Sequence, residues 1–319
     1  GSLASGIFLF GISLIYGATH SLDLTSTIHL AMNNGQRILC LLGIVFMLVG
    51  IAFKFGSVPF HMWVPDVYEG APTCVTLWVG SVPKIAISLF AVRILAQSMH
   101  VYWVDWSIML QLLAVLSLLL GNIAAVLQSN IKRMLAYSTI AHMGFVLLGL
   151  ALPYFGAGDM MHGLNKQGLN SALFYVLTYV FTFSVAFGVL MAVSYKDKEC
   201  VNLNDLAGLN ERHPMLAGIM LLSMFSLAGI PPLLGFYAKL YVIEVLISVH
   251  WTALAVFAIV MSLVGAFYYL RVVKVMYFDA VDEKQTKNLT LDFSSSAKIL
   301  LTINGLALLI LGCFPSILI

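Results

Sequence analysis

Apolar runs of about 20 residues recur from one end of this chain to the other, and they constrain its fold more than any other feature. In lipid every backbone N–H and C=O must be satisfied within the chain, so such runs become transmembrane helices. Of the 319 residues, 61% are hydrophobic and only 9% charged, with a mean hydropathy of +0.98. A water-soluble domain carries about a quarter charged residues. The expected fold class is therefore an all-α polytopic membrane protein. Nine helices are expected, over 3–17, 38–61, 74–96, 106–127, 134–152, 169–193, 214–247, 251–270 and 297–317. The second, third and seventh contain Pro59, Pro83 and the Pro231-Pro232 pair. Proline removes a ladder hydrogen bond and clashes with the preceding turn, so each of these helices is expected to bend or break. Residue 1 is Gly, already inside an apolar run and without the basic segment and cleavage site of a signal peptide. The chain reads as a fragment or as one half of a split protein.

The basic residues orient the helices. Lys132, Arg133, Lys196, Lys198, Arg212, Arg271, Lys274, Lys284, Lys287 and Lys298 fall on one side, and only Arg37, Arg93 and Lys166 on the other. The richer side is cytoplasmic or matrix-facing, and the C-terminus points away from it. A net charge of +2 gives no sign of a nucleic-acid partner. The four cysteines lie far apart, and the eight histidines form no HxxxH pair. No zinc, haem or iron–sulfur signature is present.

Three basic residues, Lys54, Lys84 and Lys239, are left inside the apolar helices. An ammonium at bilayer depth costs about 2.5 to 3.5 kcal/mol on insertion scales, so it normally faces a polar interior and marks an ion or proton pathway. The plainer alternative is snorkelling, in which the four-carbon stem reaches the headgroups. Burial lowers a lysine's proton affinity and a nearby carboxylate raises it, which is the property a proton relay needs.

Two of the lysines stand beside predicted breaks. Lys54 precedes Gly56-Ser57-Val58-Pro59, and Lys239 follows Gly229-Ile230-Pro231-Pro232 and Gly235. A discontinuous helix frees carbonyls and amides at depth, tolerated only where protein buries them or a wet cavity receives them. The pairing suggests an internal repeat, with the lysine before the break in one copy and after it in the other.

Other polar residues are candidates to connect the lysines. Ser138 and His142 share a helical face, with Thr139 beside them. A histidine near its ordinary pKa passes protons readily, yet one bonded to a neighbouring helix as packing glue is as good a reading. Tyr137, Tyr175, Tyr179 and Tyr237 read as packing or interfacial aromatics. Asp66 and Glu69 are placed in a cytoplasmic-side loop, as proton-loading groups or solvated charges. Glu244, five residues after Lys239, is off its face. Lys132 and Arg133 read as topology anchors at a helix start.

FKFGSVPFHMWVPDVYEGAPT, VPKIAISLFAVRIL, QSNIKRMLAYSTIAHMGF and SLAGIPPLLGFYAKLYV, in that order, resemble successive motifs of the antiporter-like membrane subunits of NADH:quinone oxidoreductase, respiratory complex I, of the N or chain-2 type. The resemblance runs through essentially the whole chain. It implies nine helices similar to the sixth through fourteenth of that family. Residues 1–97 would end a first inverted repeat, 98–278 would form the second, and 279–319 a loop and final helix. It places the family's proton-relay lysines on Lys54, Lys84 and Lys239, with His142 as a further candidate. The family pairs its first relay lysine with a glutamate that would precede Gly1, so missing N-terminal helices or a second chain would supply it. The implied function is proton translocation driven by electron transfer in other subunits, which would bind the NADH, FMN, iron–sulfur clusters and quinone; no cofactor is expected in this chain. The implied partners are the other membrane subunits and the lipid bilayer. The implied location is a bacterial inner membrane, with the mitochondrial inner membrane as the alternative. Two competing functions share the fold: a cation/proton antiporter subunit of a multi-subunit antiporter, and a purely structural membrane subunit.

Overall fold

The computed structural model describes residues 1–23, 36–152, 162–194, 199–280 and 295–314. Among these the chain is helical, and an isolated antiparallel bridge between Asn130 and Asn202 is the one piece of β pairing. The main helices are α1 (Ser2–Thr19), α2 (Arg37–Phe55), α3 (Trp63–Gly70), α4 (Thr73–Ala91), α5 (Trp103–Val126), α6 (Ile131–Leu150), α7 (His162–Val193), α8 (Pro214–Ala228), α9 (Leu234–Ser248), α10 (Thr252–Phe278) and α11 (Ser295–Cys313). Eight helices among the described residues are long and apolar enough to cross a membrane. The half-length helices α8 and α9 occupy the seventh of the nine expected stretches.

The prolines act differently from one another. The second expected helix stops at Phe55, and α3 follows after a turn; the seventh stops at Ala228 and resumes at Leu234. The third does not break: α4 runs through Pro83 and continues as a π-helical turn over Val92–Ser98. The breaks have a glycine in the left-handed region, Gly56 at φ 69° and Gly229 at φ 84°, whereas Gly80 before Pro83 stays helical. A proline alone removes one ladder bond; these helix ends also use a residue that tolerates positive φ.

The core is centred on α6. It is the least hydropathic of the eight spans, at 1.3, and the most enclosed, 89% buried. It is packed by α5, α7, α3 and α9, while α1 and α11 lie at the margin, 28% and 22% buried. A lipid-facing helix must be apolar all round, whereas one enclosed by protein can carry Ser138, Thr139 and His142. Its start is fixed by Asn130, whose side chain accepts the Arg133 N–H at 3.1 Å.

The two ends of the bundle differ in charge, as the basic residues implied. Lys132, Arg133, Arg212 and Arg271 all make bonds at the end where α6 begins. At the other end Arg37 pairs with Asp105 at 3.3 Å. Lys196, Lys198, Lys284, Lys287 and the side chain of Lys166 lie outside the described residues.

Candidate functional site

The end of a helix leaves its last four carbonyls without intrahelical donors. At the end of α2, Ala52 O accepts the Ser57 N–H at 3.0 Å and the Ser57 hydroxyl at 3.1 Å. Phe53 O accepts the Gly56 N–H and the Trp63 Nε1–H, each at 3.0 Å. The remaining two, Lys54 O and Phe55 O, accept from Lys84 Nζ at 3.2 and 2.8 Å. At the end of α8, Phe225 O accepts from Gly229 N and Ile230 N, each at 3.0 Å. Leu227 O and Ala228 O accept from Lys239 Nζ at 2.8 and 2.9 Å. In both breaks a lysine ammonium from another helix closes the last two carbonyls before the left-handed glycine.

An ammonium at the negative end of a helix dipole is stabilised by the same carbonyls it satisfies. Lys84 is 1% exposed and Lys239 8%, so neither snorkels. The Lys84 Nζ also lies 5.6 Å from the Trp63 ring centroid, and the Lys239 Nζ 5.8 Å from that of Phe145. Lys239 has a third partner, the Ser262 hydroxyl at 2.9 Å.

Lys54 stands apart from these two. It is exposed, and among the described residues its ammonium has no hydrogen-bond partner. It edges an apolar groove of about 300 Å³ between α1, α2 and α4, lined by Phe8, Gly50, Ile87 and Phe90 among others. The expected correspondence of Lys54 with Lys239 is therefore not one of structural role: the residue that does at the first break what Lys239 does at the second is Lys84.

Between the two capping lysines runs a buried polar seam. His142 Nδ1 is 2.7 Å from the Tyr175 hydroxyl, and Nε2 is 2.9 Å from that of Tyr269. Tyr269 also bonds Ser138 at 2.5 Å, and Thr139 bonds Tyr179 at 2.7 Å. The Lys239 ammonium is within electrostatic reach of the His142 ring. Tyr175 and Tyr179 are thus members of the polar cluster rather than interfacial aromatics. Tyr269 and Ser262 escaped sequence reasoning, although both are polar residues within the apolar run of α10. Tyr68, fully buried, presents its hydroxyl toward the Thr139 side. Tyr137 and Tyr237 are half-buried, and Glu244 is exposed, away from Lys239.

The charged groups at the α6 start form a clasp. Asp66 and Glu69 lie on α3, not in a loop, and each carboxylate pairs with Arg133 at 2.8 Å. Glu69 also accepts from Asn130 at 3.0 Å. Lys132 is 1% exposed and donates to Glu199 at 2.7 Å and to Ala71 O at 2.6 Å. At the expected helix start, it is a buried clamp. Burial works to raise the Glu199 carboxyl pKa, but its bonds with the Lys132 ammonium and the Thr73 amide outweigh burial and hold it below the ordinary carboxylate range. No group of three or more His, Cys, Asp or Glu side chains among the described residues converges as a metal site.

A family model described as NADH:quinone oxidoreductase/Mrp antiporter, TM, matches residues 1–265. A protein of Neisseria gonorrhoeae named NADH-quinone oxidoreductase subunit N is 52% identical over 316 residues, covering 99% of this chain and 63% of the relative. A protein of the same name from Nitrosomonas europaea is 49% identical over 321 residues, covering 100% of this chain and 63% of the relative. Among solved structures, a chain of respiratory complex I from Thermus thermophilus superposes with a TM-score of 0.80 at 34% identity, over 99% of this chain and 65% of that one. A chain of the Mrp complex from Dietzia sp. gives a TM-score of 0.78 at 22% identity, over 99% and 64%, a likeness of fold alone. The chain thus spans about 63% of the length of these curated relatives.

Proposed function

Because the chain belongs to the NADH:quinone oxidoreductase/Mrp antiporter family of membrane proteins, we propose that it forms the proton-carrying membrane part of an NADH:quinone oxidoreductase. In this reading it is a multi-pass component of the subunit N type in a bacterial inner membrane. The neighbouring membrane subunits are its partners, and the NADH, flavin, iron–sulfur and quinone chemistry lies in other subunits. Residues 1–97 and 98–278 would be parts of two related repeats, each containing one broken helix.

The observation that carries this reading is the matched pair of buried lysines, each holding the freed carbonyls of a broken helix, with the His142 cluster between them. A lysine ammonium donates three hydrogen bonds; the neutral amine donates two and accepts one. Lys239 meets both requirements. As an ammonium it donates to Leu227 O, Ala228 O and Ser262 Oγ. As an amine it keeps both carbonyl bonds, and rotation of the Ser262 hydroxyl turns that group from acceptor to donor. Proton loss then leaves no polar group unpaired, which keeps the barrier to reversible transfer low. The proposed path runs from Lys54 at the open edge, through Lys84 and His142, to Lys239. The exposed Lys54 would meet a carboxylate from a neighbouring segment or a second polypeptide, whose approach and withdrawal would shift its proton affinity.

The test is proton translocation by the assembled complex carrying Lys84→Met or Lys239→Met. Fewer protons moved per electron pair, with NADH oxidation coupled to quinone reduction otherwise retained, are expected. An unchanged proton-to-electron ratio in both assembled variants overturns the relay assignment.

A further inference from the structure

The second break is covered by a helix that the proton path does not use. α11 lies at the margin of the bundle, packed on α7, α8 and α9. Leu301, Gly305, Leu308 and Gly312 are its buried positions, and their spacing puts them on one face. Gly312 falls on the turn of the break itself. A Cβ there would run into Pro232 O and would come within 2.7 Å of Leu234 N and 2.8 Å of Leu233 C, backbone atoms all three. A Cβ at Gly305 would meet side-chain atoms of Ile219, the nearest at 3.0 Å. A side chain can rotate away, whereas the backbone of a broken helix cannot yield without moving the helices it joins. The turn also needs a cover. Pro231 and Pro232 face outward and bring no N–H to be satisfied. Ile230 O accepts the Leu233 N–H at 3.2 Å, and the Gly235 N–H goes to Ser226 Oγ at 3.1 Å. Pro232 O has no N–H or O–H donor among the described residues. The Gly312 Cα–H lies against it, a close backbone approach that glycine permits and that suits a weak C–H···O contact. Lipid in that place would leave the carbonyl unmet.

We propose that Gly312 is a positioning residue for Lys239, acting through the turn on which it sits. α9 resumes at Leu234, and Lys239, on its second turn, reaches back across the break to Leu227 O and Ala228 O. Seated on the turn through Gly312, α11 holds the start of α9 at the distance from the end of α8 that this reach requires, and it keeps lipid off the freed backbone. The proposal rests on the proton-path reading above and adds to it a residue that carries no proton and lies outside the polar seam.

The experiment uses the assembled complex. In a high-resolution map of the unsubstituted protein, Gly312 Cα should lie about 3.3 to 3.6 Å from Pro232 O; a lipid, a water or another side chain between them overturns the proposal without any substitution. Gly312→Ala should push α11 off the turn, lengthen both carbonyl contacts of Lys239 Nζ beyond hydrogen-bond distance and lower the number of protons moved per electron pair. Gly305→Ala, on the same face, should do none of these, because the Ile219 side chain gives way. Epistasis supplies the readout that a general loosening of α11 would not produce: in a Lys239→Met background, Gly312→Ala should cause no further loss of translocation. A further loss there overturns the proposal. So does an equal loss in Gly305→Ala, or normal translocation by the assembled Gly312→Ala complex. If Lys239→Met alone leaves translocation unchanged, the underlying proton path fails whatever Gly312 touches, so the two failures are distinguishable.

Discussion

The tetrapeptide Gly-Ser-Val-Pro occurs twice, at 56–59 and at 80–83, and it folds in two ways. The first copy ends a helix at a left-handed glycine; the second sits inside a continuous helix. Local propensity is the same, so the difference is tertiary. The first copy is surrounded by donors and an acceptor from elsewhere: Lys84 for Lys54 O and Phe55 O, Trp63 for Phe53 O, and Ser117 for the Val58 N–H at 2.9 Å. The second has Ser81 folded onto Leu77 O at 2.6 Å and the Phe183 ring pressed against Gly80. A helix breaks at membrane depth only where other groups meet the backbone it frees. The lysine that meets it, Lys84, immediately follows the unbroken copy. The intact helix thus holds the broken one in place.

Removing that lysine should have the largest effect. Lys84→Met leaves Lys54 O and Phe55 O without donors, and each buried unpaired group costs about 1 to 3 kcal/mol. We expect a loss of about 3 kcal/mol, read as a lowered thermal midpoint in detergent. A midpoint within error of the parent would mean that the break does not depend on its cap.

The two glycines offer a sharper comparison. At Gly56 an added Cβ would come within 2.5 Å of Val64 and would sit at φ 69°; the left-handed conformation alone costs a non-glycine residue about 1 to 2 kcal/mol. At Gly80 the backbone is helical, and the obstacle is the Phe183 ring, 2.3 Å from an added Cβ, an overpacking cost of about 1 to 3 kcal/mol. Gly56→Ala should therefore recover only in part when Val64→Ala is added, because the backbone cost remains. Gly80→Ala should recover most of its loss with Phe183→Leu. Double-mutant cycles measure both, and full recovery at Gly56 would remove the backbone from the explanation. A smaller effect is expected from Trp63→Phe. It keeps an aromatic ring beside Phe53, whose centroid lies 5.5 Å away, and deletes the Nε1–H bond to Phe53 O while weakening the contact of the ring with the Lys84 ammonium, for about 1 kcal/mol.

The same comparison shows what the amino-acid pattern could and could not reveal. Helix number, the charge asymmetry and the burial of Lys84 and Lys239 follow from apolar runs and from the cost of charge in lipid, which are local properties. The proline rule did not distinguish a bend from a break, and so did not single out Pro83 as unbroken, because it counts a lost hydrogen bond but not the positive φ that a break also requires. The bond that buries Lys132 was not legible, because its partner, Glu199, is 67 residues away. The role of Lys84 was hidden for the same reason: its acceptors are backbone carbonyls about 30 residues earlier, and every residue has a carbonyl. Ser138 and His142 were legible as one face of α6, and both prove to bond Tyr269. Tyr269 itself was not, since a tyrosine near the end of an apolar run ordinarily marks a headgroup interface.

The smallest expected effect separates the two Gly-Ser-Val-Pro copies by acidity. The helix holding the unbroken copy starts at Thr73, whose N–H is bonded to Glu199 at 2.9 Å, with Lys132 on the other carboxylate oxygen. The Glu199 pKa is held low in the folded protein, so its contribution to stability is present above the unfolded carboxylate pKa and is lost as pH falls through the folded one. With its side chain 38% exposed, solvent screens the pair, and the contribution is at most about 1 kcal/mol. The thermal midpoint should therefore fall slightly as the pH drops below the ordinary carboxylate range, and this component should vanish in Glu199→Gln. Among the described residues the broken copy has no carboxylate among its hydrogen-bond partners. Protease access should accordingly increase around Thr73 and not around Gly56 as the pH falls; equal loosening at both would show that the two copies are held by one shared contact rather than by separate ones.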